Sequence, residues 1–177
     1  MPNHVHLILT PADPDGLRRA LAPVHRRYAG TIHARLRRTG HFWQGRFGAV
    51  AMDEAHLAVA VRYVALNPVR AGLVARAQDW RWSSVHAHLS AADDSITQLT
   101  PILSRFPNFA EFIATEPDPD ALARLRQAES VGRPLGSDGF IEKLEAETKR
   151  VLKPRQRGPK PAPEPDDRQM ELSALSP

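Results

Sequence analysis

Apolar residues spaced three or four positions apart predict two long helices in the first half of the chain. The first covers residues 17–38, with Pro23 expected either to kink it or to begin a second helix. The second begins at Asp53, a good N-cap residue, and extends to about residue 66. Pro68 is expected to end it, because the residue before a proline avoids the helical region.

Alternating polar and apolar residues at the start of the chain predict a β-strand over residues 1–9. On such a strand His4 and His6 project from one face, while the apolar residues between and after them face a core. A second short strand is predicted to follow the first long helix and its loop. Two imidazoles on one face suit a single divalent metal ion, although two histidines this close together also occur by chance.

The composition changes after residue 90, where shorter helical patterns replace the long ones. Helices are predicted over residues 107–113, 118–129 and 139–152. A basic arm over residues 149–160 is followed by an acidic, proline-rich tail that is expected to be disordered. The predicted regions are therefore a folded core over residues 1–90, a helical extension over residues 91–152 and a disordered tail over residues 153–177.

The chain has 177 residues, which is long enough for a domain with a hydrophobic core. It contains no cysteine, which excludes disulfide scaffolds and cysteine-based zinc sites. No apolar run is long enough to span a membrane, and the N-terminus lacks a signal-peptide pattern. We therefore expect a soluble cytoplasmic protein.

Positive charge is concentrated in the first half of the chain. Residues 1–90 contain 12 Arg, no Lys and 5 acidic residues, whereas residues 91–177 contain 12 basic and 15 acidic residues. Arginine grips phosphate oxygens with two parallel hydrogen bonds, so a half that is basic through arginine alone favours nucleic-acid binding. GC-rich coding also enriches arginine, so composition alone does not decide the partner.

The helix predicted over residues 17–38 carries seven arginines and no acidic residue. A charged helix face is usually only solvated, but an uncompensated stripe of this size favours a DNA backbone that lies along it. The residues expected to contact DNA from this helix are Arg18, Arg26, Arg27 and Arg35.

The loop after this helix holds aromatic and polar residues of two kinds. Phe42 and Phe47 are expected to pack into the core. Trp43, Gln44 and Arg46 are candidates for contact with unpaired bases, because aromatic rings and guanidinium groups stack on them.

Tyr63 and Asn67 lie four residues apart on the second helix, so their side chains share one face. In a structural interpretation, Tyr63 packs at the margin of the core and Asn67 caps the helix; taken alone, the helix favours this interpretation. In a functional interpretation, Asn67 joins His4 and His6 as the third ligand of Mg²⁺ or Mn²⁺, with water and phosphate completing the coordination. Tyr63 would then attack a DNA phosphodiester, form a phosphotyrosine and release a 3′-hydroxyl.

Four short motifs occur in one order along the chain: MPNHVH at residues 1–6, GHFWQGRF at residues 40–47, RYVALNPVRAGLV at residues 62–74 and WSS at residues 82–84. Together they resemble the REP-associated tyrosine transposases, a group within the single-tyrosine HUH transposases. The segment GRPLGSD at residues 132–138 and the basic arm also resemble that group. Arg62 and Arg70, in the third motif, are further candidates for contact with DNA.

The resemblance covers most of residues 1–160 and implies an α+β fold, a ferredoxin-like sheet with helices on one side. It also implies cutting and rejoining of single-stranded DNA beside short hairpins, through a 5′-phosphotyrosine. By position, His4 and His6 match the HUH metal-binding pair and Tyr63 matches the nucleophile. Asn67 matches the polar metal ligand one helical turn further on.

Members of this group usually carry further strands and a helix of the same sheet before the first motif, whereas this sequence begins at the motif. The expectation is either a start codon assigned too late or a truncated gene. Two alternatives to a transposase follow: an inactive remnant that still binds DNA hairpins, and a small phosphoesterase that uses the two histidines as acid and base.

Overall fold

The computed structural model describes residues 1, 3–45, 47–115 and 117–153, and 54% of this part of the chain is helical. The predicted disordered tail lies outside the described residues from residue 154 onward. The helices are α1 (Gly16–Leu36), α2 (Glu54–Arg70), α3 (Val85–Ser90), α4 (Thr100–Leu103), α5 (Phe109–Ala114), α6 (Pro119–Val131) and α7 (Asp138–Thr148). A short 3-10 turn, Ala77–Asp79, lies between α2 and α3.

The prediction of an α+β, ferredoxin-like fold is wrong, because the described residues contain no strand and no sheet. The nearest feature is one isolated parallel bridge between Met52 and Leu135. Residues 4–9 form no ladder, and Val5, which was predicted to face a core, is 72% exposed. A strand exists only where a second segment completes its hydrogen bonds, so alternation without such a partner is not sufficient.

Helix α2 begins where it was predicted to begin and ends later. The Asp53 carboxylate accepts the His56 backbone N–H at 3.1 Å and thereby caps the helix. Pro68 does not end it, because the ring is buried and the proline interrupts only one intrahelical hydrogen bond. The helix continues to Arg70, and the chain turns away at Gly72, whose φ of +66° favours glycine.

The core lies between α2, α3 and α5. It is a cluster of buried side chains from both sides of residue 90: Val61, Ala65, Ala77, Val85, Phe109 and Ile113. Helix α6 packs against α2 and buries Ala121, Leu125 and Ala128. The face of α2 that carries Tyr63 therefore meets a helix of the C-terminal half, where the sequence predicted a sheet edge.

Helix α1 is confirmed, with Pro23 inside it, but it has no buried residue. Its apolar stripe is largely exposed, with Val24 at 61% and Tyr28 at 52%. The Tyr28 ring contacts the rings of Phe42 and Trp43 from the following loop, with centroids 5.6 and 5.8 Å away. Phe42 therefore packs on α1 in a small aromatic cluster outside the main core.

Candidate functional site

Three of the residues predicted to act together come close to one another. The His4 and His6 rings are edge to face with centroids 4.9 Å apart, and the His6 ring meets the Tyr63 ring at 5.3 Å. His6 is mostly buried, with a side-chain exposure of 17%. A segment at the start of the chain thus lies against α2, at the tyrosine that the sequence selects.

Glu129 of α6, which sequence reasoning missed, bridges the histidine and the tyrosine. One carboxylate oxygen is 3.1 Å from His6 Nδ1, and the other is 3.5 Å from the Tyr63 hydroxyl, which donates to it. Arg126, three residues earlier on α6, lies with its guanidinium 5.9 Å from the centre of the Tyr63 ring. The sequence signal that could have identified these two residues is the spacing of Arg126 and Glu129. Residues three apart share a helix face, and Glu129 follows the buried Ala128.

The acceptor oxygens beside Nδ1 of both histidines favour the other ring nitrogen, Nε2, as the electron-pair donor. An ionised carboxylate only accepts, so the Glu129 oxygen 3.1 Å from Nδ1 favours the tautomer of neutral His6 that carries its proton on that atom. His4 Nδ1 is 2.8 Å from the Asn3 side-chain oxygen, which likewise only accepts. Each Nε2 then carries a lone pair, which is the form of imidazole that binds a metal.

His6 also has the protonation state that a metal ligand needs. Burial lowers the pKa of His6 below its usual value, and this effect outweighs the opposing effect of the Glu129 carboxylate. The imidazole is therefore neutral at pH 7, so its 3.1 Å contact with Glu129 is not a pair of two charged groups. His6 Nε2 is buried and has no hydrogen-bond partner among the described residues, which fits a nitrogen with a bond left to make.

Burial and the nearby Glu129 raise the pKa of the Tyr63 phenol, while Arg126 and Arg70 act in the opposite direction. The net shift is upward, so the phenol is protonated at neutral pH and would need further positive charge to become a good nucleophile. Arg70 lies 5.7 Å from the centre of the Tyr63 ring and is exposed, which places a cation beside the hydroxyl-bearing face of α2.

Asn67 is half-buried, one helical turn beyond Tyr63. It does not cap the helix, because α2 continues past it and its backbone carbonyl accepts the Ala71 N–H at 3.0 Å. Its side chain makes no hydrogen bond within the described residues. In that same part of the chain no three side chains of His, Cys, Asp or Glu converge as a metal site, so a metal ion on the two histidines would depend on an oxygen such as that of Asn67.

Two arginines that were candidates for DNA contact are held by protein groups. Arg18 forms two hydrogen bonds of 2.6 Å with the Asp15 carboxylate, just before α1. Arg62 donates to the Phe112 carbonyl at 2.8 Å and lies over the Phe112 ring at 4.2 Å. The positive charge of the arginines on α1 is therefore partly compensated by acidic residues outside the helix. Arg62 links α2 to α5.

The other candidates for DNA contact lie on the exposed side of α1 and its loop. The Trp43 indole stacks on His25 at 4.5 Å and donates to the His25 carbonyl at 3.2 Å. Arg26 lines an open cavity of about 480 Å³ together with these two residues. Arg27, Arg35 and Gln44 are exposed, and Arg46 lies outside the described residues.

Searches of protein-family models, curated proteins and solved structures found no match to the chain. Within the described residues, no helix combines the length and the apolar character needed to cross a membrane.

Proposed function

We propose that the chain is a metal-dependent tyrosine nuclease and strand transferase that acts on single-stranded DNA near hairpins, as a transposase does. The observation that carries the proposal is the contact between Tyr63 and His6, whose ring centroids are 5.3 Å apart although the residues lie 57 positions apart in the sequence. The order of the four motifs along the chain supports the same assignment.

In the proposed reaction the Tyr63 oxygen attacks a DNA phosphorus atom. The new bond joins the tyrosine to the 5′-phosphate, the bond from phosphorus to the 3′-oxygen breaks, and the 3′-oxygen leaves and takes a proton from water. The phenol proton passes to solvent as the bond forms. Arg70 and Arg126 lie beside the ring and favour the negative charge that develops on the phenol oxygen and the phosphate.

The residues that would hold a divalent ion are His4, His6 and Asn67. Mg²⁺ or Mn²⁺ bound there would neutralise phosphate charge and help to orient the phosphate for in-line attack. The neutral His6 ring and its buried Nε2 atom support this role. The exposed arginines of α1 and the Trp43 loop would bind the phosphate backbone and unpaired bases of the same DNA.

The test is incubation with a panel of hairpin-flanked single-stranded DNAs and Mn²⁺, followed by denaturing electrophoresis. We expect a covalent protein–DNA adduct that is lost in Tyr63→Phe and retained in Tyr28→Phe, since Tyr28 is the other tyrosine of the chain and lies on α1. Absence of adduct from the folded wild-type protein, or an adduct that persists in Tyr63→Phe, would contradict the proposal.

A second candidate function is hairpin binding without catalysis. It is favoured by the exposed positions of Arg26, Arg27 and Arg35 on α1. In that case binding would weaken steeply with salt, would not depend on His4 or His6 and would give no adduct.

A further inference from the structure

We propose that Glu129 is a positioning residue that holds His6 in its metal-binding tautomer and orients the Tyr63 hydroxyl at the same time. The inference rests on the proposed function and adds to it a residue from the C-terminal half of the chain. Its basis is one carboxylate with an oxygen at each of the two groups, 3.1 Å from His6 Nδ1 and 3.5 Å from the Tyr63 hydroxyl.

The effect on His6 follows from the chemistry of the acceptor. A neutral imidazole carries its proton on either ring nitrogen, and a carboxylate beside Nδ1 favours the tautomer that can donate to it. Glu129 thereby leaves Nε2 as the electron-pair donor and makes the ring a stronger base. Oxygen partners of this kind change metal affinity by about 10–100-fold when they are removed.

Glu129 also connects a weakly held segment to a firmly held one. Helix α6 is fixed against α2 by buried side chains that include Leu125 and Ala128. Within the described residues, the 3.1 Å contact between His6 Nδ1 and the Glu129 carboxylate joins residues 1–10 to α6. Loss of the carboxylate should therefore let His6 move as well as change its tautomer.

The effect on Tyr63 is one of direction. The phenol oxygen is fixed to its ring, and only the hydroxyl hydrogen rotates. An acceptor on one side therefore determines where the hydrogen points and on which side the lone pairs lie. Because the acceptor is the carboxylate that also binds His6, the nucleophile and the metal ligand are aligned by the same group.

The experiment compares wild type with Glu129→Gln, Glu129→Ala and a control, Glu147→Gln, which removes an exposed carboxylate from α7. Two readouts are used on the full chain: the tautomer of His6 from nitrogen-15 NMR of the metal-free protein at about pH 8, where an imidazole is neutral, and the affinity for Mn²⁺ by calorimetric titration. Circular dichroism verifies that each variant is folded, and the 45% exposure of Glu129 makes both substitutions tolerable.

We expect the Nδ1–H tautomer of His6 in wild type and in Glu147→Gln. In Glu129→Ala the Nε2–H tautomer should gain population and the Kd for Mn²⁺ should rise by about 10–100-fold. Glu129→Gln should lie between the two, because its amide oxygen can still accept from Nδ1.

An unchanged His6 tautomer in folded Glu129→Ala would overturn the proposal, whatever happens to Mn²⁺ affinity. A lowered affinity with an unchanged tautomer would mean that Glu129 affects metal binding by another route, and it would overturn the proposal too. If wild type binds no Mn²⁺ but the tautomer changes, the positioning of His6 by Glu129 is upheld and the proposed metal-dependent function fails, so the two failures are distinguishable.

Discussion

Helices α1 and α2 have similar apolar spacing in the sequence, but in the structure they differ in whether other helices cover the apolar face. Helix α2 is covered by α5 and α6 and contributes Val61 and Ala65 to the core. Helix α1 has no buried residue, and Tyr28 of its apolar stripe contacts the aromatic loop that follows the helix. A helical stripe therefore predicts the helix, while the presence of a partner decides whether the stripe is a core.

The same difference separates the two sets of candidate functional residues. The cluster of His6, Tyr63 and Glu129 is assembled by the packing of α6 on α2, so its geometry depends on the core. The arginines of α1 are exposed on a helix that stands outside the core, so their geometry depends on that helix alone. We expect substitutions at α2 and its partners to affect stability, and substitutions at α1 to affect DNA binding.

The largest expected effect is on stability, from truncation of a core ring. Phe109→Ala removes a side chain that is 3% exposed and should lower the free energy of unfolding by about 3–5 kcal/mol. Tyr28→Ala, on α1 at 52% exposure, should lower it by less than about 1 kcal/mol. Urea denaturation followed by circular dichroism measures both, and equal losses would mean that α1 is as firmly packed as α2.

Two arginines offer an intermediate effect and opposite outcomes. Arg62→Ala removes the hydrogen bond to the Phe112 carbonyl and the contact with its ring, which should cost about 1–3 kcal/mol of stability. Arg27→Ala should leave stability within about 0.5 kcal/mol of wild type and should lower the salt dependence of single-stranded DNA binding by about one ion. Denaturation and fluorescence titration at several salt concentrations check this pair. If Arg62→Ala keeps the stability of wild type but binds DNA more weakly, the proposed structural role of Arg62 is wrong and a role in DNA contact is supported.

The smallest effect concerns how the two helices begin. Asp53 caps α2, whereas Asp15, at the equivalent position of α1, makes no capping hydrogen bond. Burial acts to raise the pKa of Asp53, but hydrogen bonds from His56 and Ser137 outweigh it and lower the pKa from 3.8 to about 2. The native carboxylate thus binds its proton less readily than the unfolded one, so its stabilising contribution is complete above about pH 4 and is lost as the pH falls towards 2.

We therefore expect Asp53→Ala to lower stability at pH 7 by about 1–2 kcal/mol and to flatten the loss of stability between about pH 4 and pH 2. Asp15→Ala removes no cap and serves as the matched control. Thermal unfolding across this pH range provides the measurement. An unchanged acid profile in Asp53→Ala would show that other carboxylates carry the acid sensitivity.

Much of the local structure could be predicted from the sequence, because it depends on neighbours along the chain. The apolar spacing predicted α1 and the last helices, and Asp53 was correctly identified as the residue that begins α2. The strand and helix patterns brought His4, His6 and Tyr63 into consideration, the resemblance to the transposase group selected them, and the three side chains do lie together. Their roles in catalysis and metal binding stay predictions.

Long-range packing decided the rest. Residues 4–9 alternate like a strand, but only a second segment could have made them one, and the described residues offer none. Pro68 continues a helix that local rules end, because its ring is buried. Glu129 stands on a different helix from Tyr63, and Arg62 reaches a carbonyl 50 positions away. Local pattern specifies which segments are helical, and only the contacts between distant segments determine which of their side chains meet.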